Sequence, residues 1–210
     1  MITGAPCFLG VLILGAGAST RMGKPKLLLP WRDTTVIGSI IQQWKELGAN
    51  QITVVSRPDD SSLTVELDRL QLPNTNRIIN PDPARGMFSS IRCAAEWTGW
   101  LPTLTHWAVA LGDQPHLANE TLSALAYFAR QEPERIFQPT SNGRARHPVF
   151  LPRRCFLALA NSEHRTLKEF LVTHALQVQL LPVNDDGLDL DLDTPEDFQT
   201  VARHFGGMRI

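Results

Sequence analysis

Residues able to do chemistry gather in a few short stretches of this chain. The first, VLILGAGASTRMGKPKLLLPW at residues 11–31, empties an apolar run into a loop with three glycines, one arginine and two lysines. Glycine lets backbone N–H groups approach a ligand with no Cβ in the way, and neighbouring cations favour an anion, so phosphate is the expected ligand. On this loop alone, an ordinary strand-to-helix turn with solvated basic residues is an equal alternative. Spacing disfavours two phosphate loops. The dinucleotide fingerprint needs a third glycine where Thr20 stands, and the P-loop needs Gly and Ser/Thr where Ala18 and Pro25 stand.

Carboxylates supply the second kind of chemistry. In WAVALGDQP, Asp113 follows an apolar run, where a carboxylate can coordinate Mg²⁺, a hard cation that often bridges substrate phosphates. Taken singly, a turn aspartate bonding its own backbone is the commoner use of Asp in such a setting. LDLDLDTPEDF places Asp189, Asp191 and Asp193 at strand spacing, so an extended backbone would project all three to one face. Mg²⁺ would relieve their mutual repulsion, as would a solvated strand edge. Asp193-Thr194-Pro195-Glu196 also resembles a capping box with Asp193 as cap and Pro at the second helical position, a role compatible with metal binding.

Other chemistry is disfavoured by composition. Cys7, Cys93 and Cys155 are too few and too scattered for a disulfide framework or a zinc motif, and the six histidines form no HExxH pair. Any metal is therefore expected on oxygen ligands. A net charge of −1 argues against broad nucleic-acid or membrane-surface binding. The apolar runs fall short of a membrane span, and MITGAPCFLG lacks a signal-peptide pattern, so a cytoplasmic location is expected.

The elements that must position these residues follow from periodicity. Apolar runs at 8–14, 51–56, 77–80 and 107–111 alternate with helical patterns, the signature of an α/β protein with a mostly parallel sheet flanked by helices. A helix through VIGSIIQQWKEL has Thr34 or Thr35 as cap, Ile37, Ile40, Ile41, Trp44 and Leu47 on one face and Gly48 as stop. Further helices are expected at 87–97, 119–130, 153–160 and 166–174, and late strands at 146–151, 176–182 and 188–192. Residues 58–62, 80–86 and 138–148 read as surface loops. A single domain over 1–210 is expected. In open α/β sheets ligands sit beyond the carboxyl ends of the strands, so loops from several strands can build one site.

Taken in order, LGAGASTRMGKPKLLLP, GDQP and LDTPEDF resemble the MobA-like nucleotidyltransferases, and within them most closely the molybdenum cofactor cytidylyltransferases. The resemblance implies a Rossmann-like, nucleotide-diphospho-sugar transferase-like fold. It further implies an enzyme that moves CMP from CTP to the molybdenum-molybdopterin cofactor and releases pyrophosphate, with a molybdenum hydroxylase as downstream partner protein. It implies that Leu14, Gly15, Ala16, Gly17, Ala18 and Ser19 approach the nucleotide while Arg21 and Lys26 contact its phosphates. Mg²⁺ falls to Asp113 and a late carboxylate, Asp193 or alternatively Asp191. Asn80, Gly86 and Ser89 match the stretch bordering the base; His147 and Pro148 match a His-Pro element beside the pterin, with Arg146 where glycine is common. The cytidine-using members resemble LAAG in the first loop and the guanosine-using members LAGG. Here LGAG keeps Ala16 but departs at Gly15, leaving GTP as the runner-up.

Overall fold

The computed structural model describes residues 7–17 and 21–206. The strands are β1 (Leu9–Leu14), β2 (Pro30–Trp31), β3 (Thr34–Thr35), β4 (Gln51–Ser56), β5 (Arg77–Ile79), β6 (His106–Leu111), β7 (Ile136–Ser141), β8 (Arg144–Ala145), β9 (Val149–Pro152) and β10 (Val178–Pro182). Between and after them run α1 (Val36–Glu46), α2 (Ser61–Arg69), α3 (Met87–Glu96), α4 (Asn119–Gln131), α5 (Arg153–Ala158), α6 (Leu167–Thr173) and α7 (Pro195–Phe205).

The main sheet runs β10-β7-β9-β6-β1-β4-β5, with β8 added onto β7. The β1–β4, β1–β6, β4–β5 and β7–β10 pairs are parallel, while β9 runs antiparallel to both β6 and β7. Leu14 pairs with Leu111, so β1 and β6 end level and the loops that follow them lie side by side. Strand order reverses about β1, the topological switch at which open α/β sheets bind ligands.

Alternation along the strands feeds two cores. Val11 and Ile13 of β1 face a layer holding Ile37, Ile40, Ile41 and Trp44 of α1, Leu63 and Leu67 of α2, and Leu122 and Leu125 of α4. Leu12 faces the opposite layer with Ile91 of α3, Phe156 of α5 and Phe170 of α6. There the Trp107 ring stacks on Phe156 at a centroid distance of 4.6 Å, and Trp100 meets both edge-on. Thr35 caps α1 by accepting from the Gly38 N–H at 3.2 Å, and Gly48, at φ +79°, supplies the left-handed stop. Among the described residues, no helix is long and apolar enough to cross a membrane.

Four expectations are corrected. Helix α2 was not anticipated, because SSLTVELDR has only Leu63 and Leu67 buried and so shows a thin apolar stripe. The 138–148 segment is no surface loop at its start: β7 continues through Ser141, with Gln138 and Pro139 paired to β10 despite their turn-like composition. The strand expected at 146–151 begins only at Val149, after a cis His147–Pro148 peptide. No strand forms at 188–192; a 3-10 turn over Asp186–Asp189 leads into an irregular segment whose alternation arises because Leu188 and Leu192 anchor in the core.

Candidate active site

Beyond the level ends of β1 and β6 lies a cavity of about 630 Å³. Leu14, Gly15, Ala16 and Gly17 form one wall, and Leu111, Gly112 and Asp113 form the next. Pro83, Ala84, Gly86, Met87 and Ser90 bring in the start of α3, while Lys26, Asp191 and Asp193 close the site. The glycines are needed where backbones crowd. A Cβ on Gly15 would lie 3.0 Å from the Val55 carbonyl oxygen, and one on Gly112 would lie 2.6 Å from that of Leu14. Gly86, at φ +91°, turns the chain into α3, whose first turn has no side-chain cap, an arrangement favourable to an anion.

Charge in the cavity is internally matched. Lys26 Nζ donates to Asp113 Oδ2 and, at 3.2 Å, to Asp193 Oδ1; Arg21 pairs with Asp193 Oδ2 at 2.7 Å. Burial pulls the Lys26 pKa down, but Asp113 and then Asp193 more than offset it, and the net shift is upward. At Asp191, partial desolvation, then repulsion by Asp113 and Asp193, raises the carboxyl pKa despite Lys26 and Arg146, although the residue stays exposed to solvent.

These three aspartates offer the oxygen ligands that Mg²⁺ takes. Among the described residues, however, no three carboxylate, imidazole or thiol groups are arranged to hold a metal by themselves. The donor set fits an ion held by one or two carboxylates and completed by phosphate oxygens and water, the usual situation of Mg²⁺.

Several expected residues stand elsewhere. Ala18 and Ser19 lie outside the described residues. Asn80 is 1% exposed and does not reach the cavity wall. Its Nδ2 donates to Ser89 Oγ at 2.8 Å and to Ser90 Oγ at 3.0 Å, and its Oδ1 accepts from the Asp82 N–H, so it shapes the turn into α3. Ser90, not Ser89, lines the cavity. Arg57, just beyond the carboxyl end of β4, also lines it and was missed, although its place at a strand exit was the available signal.

The aspartate row splits. Asp191 and Asp193 face the cavity, while Asp189 turns away to accept from Ser141 Oγ at 2.6 Å, Asn142 Nδ2 at 2.7 Å and the Arg146 guanidinium. Those bonds, Ser141 first and Arg146 next, hold its pKa down to about 2. Asp193 is not the cap of α7. Thr194 is, accepting from the Asp197 N–H at 3.1 Å while Asp197 answers to the Thr194 N–H at 2.9 Å. Pro195 is therefore the first helical residue, and Asp193 is left to face Lys26 and Arg21.

His147 lines a second cavity, of about 790 Å³, with Arg144, Arg146, Lys168 and an apolar wall from α6 and β10. Met87 is common to both cavities. Burial lowers the His147 pKa, and its Nδ1 lies 3.2 Å from the Val109 carbonyl oxygen, which only accepts, so Nδ1 carries a proton. Pro148 is buried behind it.

The family model of the MobA-like NTP transferase domain matches residues 11–178, taking in both β1 and β6 loops and the His147 segment. This chain belongs to the MobA-like NTP transferase domain family. It is similar to the molybdenum cofactor cytidylyltransferase of Escherichia coli (strain K12), 25% identical over 204 residues, which cover 92% of this chain and 95% of that protein. It is also similar to the nicotine blue oxidoreductase of Paenarthrobacter nicotinovorans, 29% identical over 204 residues, 92% of this chain and 96% of the other. In fold it matches the crystal structure of Rv0371c from Mycobacterium tuberculosis H37Rv with a TM-score of 0.78 and 27% identity, over 94% of this chain and 99% of that one. The same mycobacterial protein in complex with manganese matches with a TM-score of 0.70 and 26% identity, over 93% and 98% of the two chains.

Proposed function

We propose that this MobA-like protein is a molybdenum cofactor cytidylyltransferase that transfers CMP from CTP to the terminal phosphate of the molybdopterin-bound cofactor. The observation that carries the reading is the convergence of glycine loop, Lys26 and three carboxylates in one cavity, with a second cavity meeting it at Met87. The similarity to the E. coli cytidylyltransferase supports the acceptor, and the manganese complex of the mycobacterial relative supports a divalent cation.

An oxygen of the acceptor phosphate bonds to the α-phosphorus, the bond between that phosphorus and the oxygen bridging to the β-phosphate breaks, and pyrophosphate leaves with the electron pair. Such a displacement needs positioning and neutralisation of spreading negative charge more than it needs an enzyme nucleophile. Backbone of residues 14–17 and the first turn of α3 hold the nucleotide, while Lys26 and Arg21 turn from the carboxylates to the departing phosphates. Asp113 with Asp193 or Asp191 would hold Mg²⁺, whose charge would offset that of the phosphates. Arg144 and Lys168 flank the second cavity, where His147 with its apolar neighbours offers a surface for a pterin.

Pyrophosphate release with Mg²⁺ and molybdenum cofactor, compared across CTP, GTP, ATP and UTP, tests the reading. Release with CTP supports it, and release with GTP alone assigns the guanylyl reaction. No release with any nucleotide overturns it in favour of another acceptor, a non-catalytic cofactor carrier or the oxidoreductase chemistry named for the Paenarthrobacter relative.

A further inference from the structure

The carboxylates of the nucleotide cavity come from two remote segments, Asp113 after β6 and Asp191 with Asp193 before α7, and something must set their separation. We propose that His116 is the positioning residue that sets it; the inference rests on the nucleotidyltransferase reading above. The His116 ring is 4% exposed and is not part of the cavity wall. Its Nε2 lies 3.0 Å from the Gly187 carbonyl oxygen and 3.2 Å from that of Leu190. Carbonyls only accept, so Nε2 carries the proton and donates to both. The Leu190 carbonyl belongs to the peptide that leads into Asp191, so one imidazole three residues after Asp113 orients the backbone of the opposing carboxylate.

A second contact closes the junction. Asp185 Oδ2 accepts from the Ala118 N–H at 3.0 Å, and its Oδ1 accepts from the Gly187 N–H at 3.0 Å. There is no slack between the two segments, since a Cβ on Gly187 would come 2.9 Å from His116 Cδ2 and 3.0 Å from the His116 carbonyl oxygen. Trp31 and Phe205 pack against the ring, at 6.2 and 5.5 Å between centroids. An aliphatic side chain would leave the partly buried Leu190 carbonyl without the imidazole donor and the Gly187 carbonyl with only the Leu190 N–H at 3.2 Å. The Nδ1 atom is buried with no partner, so packing alone does not account for a polar ring here.

The test uses the full chain, Mn²⁺ as the spectroscopic probe and CTP without acceptor, so that no reaction occurs. His116→Met keeps the volume and removes the donor; His116→Gln returns an N–H near the position of Nε2. With both variants folded by circular dichroism, His116→Met is expected to bind Mn²⁺ in the presence of CTP about tenfold more weakly, the usual scale for loss of a group that orients a metal ligand. His116→Gln should regain most of that loss, while CTP binding without metal stays level. A His116→Met protein that loses thermal stability but keeps wild-type Mn²⁺ affinity would overturn the proposal, as would a His116→Gln no better than His116→Met. If His116→Met does not fold, Asp185→Asn is read the same way: weaker Mn²⁺ binding supports the brace, and unchanged binding overturns it. Wild-type protein that binds no Mn²⁺ with CTP would overturn the proposed function and this inference together, whereas normal wild-type binding beside an indifferent variant overturns this inference alone.

Discussion

Lys26→Met should move metal affinity and turnover in opposite directions. The Lys26 ammonium bonds to Asp113 and Asp193, the same oxygens a divalent cation would need. The Lys26 and Asp113 side chains are 16% and 18% exposed, so solvent does not screen this pair away; the Arg21–Asp193 pair, with Arg21 69% exposed, contributes far less. A hydrogen bond to a charged group contributes about 1.5–3 kcal/mol, and about 1.4 kcal/mol is a factor of ten. Relieving the competition for one such contact should therefore tighten Mn²⁺ binding in the absence of nucleotide roughly tenfold to a hundredfold. Turnover should fall by about 10²–10³, the cost of removing one preorganised group that meets developing negative charge. Titration of free Mn²⁺ by electron paramagnetic resonance gives the first quantity and pyrophosphate release the second. Unchanged or weaker Mn²⁺ binding, in a variant that folds, would refute the view that ammonium and metal compete for one set of oxygens.

Two further predictions probe the surroundings. The Asp189 pKa is held at about 2, below its ordinary 3.8, so its bonds stabilise the fold fully above about pH 4 and are lost as pH falls from there toward 2. Asp189→Asn should thus be less stable than wild type at pH 7, with urea midpoints converging as pH drops to 3 and below; a gap independent of pH would refute the assignment. Gly15→Ala would restore the LAAG pattern of the first loop, yet its Cβ meets the Val55 carbonyl oxygen at 3.0 Å and Leu27 Cδ1 at 3.2 Å. Overpacking of this kind costs about 1–3 kcal/mol, or about 2–12 °C in Tm for a chain of this size. The nucleotide preference should not change, because Ala16 already holds the cytidine-like position; a wild-type Tm in a calorimetric scan would show that the loop gives way freely.

How far the sequence carried varies with the range of the interactions involved. Strands β1, β4, β5 and β6 and helix α1 were legible because apolar period and caps are local signals, and the loops carrying Gly15 and Asp113 followed from where those strands end. Strand β7 was hidden because Gln138, Pro139 and Thr140 look like turn residues until β10 pairs with them. The aspartate row misled for a related reason. Its alternation is real, but Leu188 and Leu192 dock in the core without strand pairing, and Arg146 draws Asp189 out of line. Asn80 and Ser89 were read as ligand contacts because a motif reports which residues matter, not whether they touch the ligand or hold what does. His116 had no local signal at all, since its carbonyl acceptors lie more than 70 residues away.

Segment 185–193 explains why the late aspartates are neither interchangeable nor simply a charged edge. Asp189 fastens it to the hairpin of β7 and β8 beside the second cavity, and His116 with Asp185 fastens it to the loop after β6. Immediately after these attachments the chain passes Asp191 and Asp193 through the nucleotide cavity. Carboxylates gathered at one cavity suit a cation whose shell phosphates would complete. Lys26 and Arg21 offset the charge of Asp113 and Asp193. Because the same segment is anchored beside both cavities, a displacement at one attachment changes where the carboxylates stand relative to the other cavity. Under the proposed function, the spacing between nucleotide and acceptor would depend on these hydrogen bonds outside the nucleotide cavity, and substitutions at His116 or Asp189 should be felt there without touching a substrate.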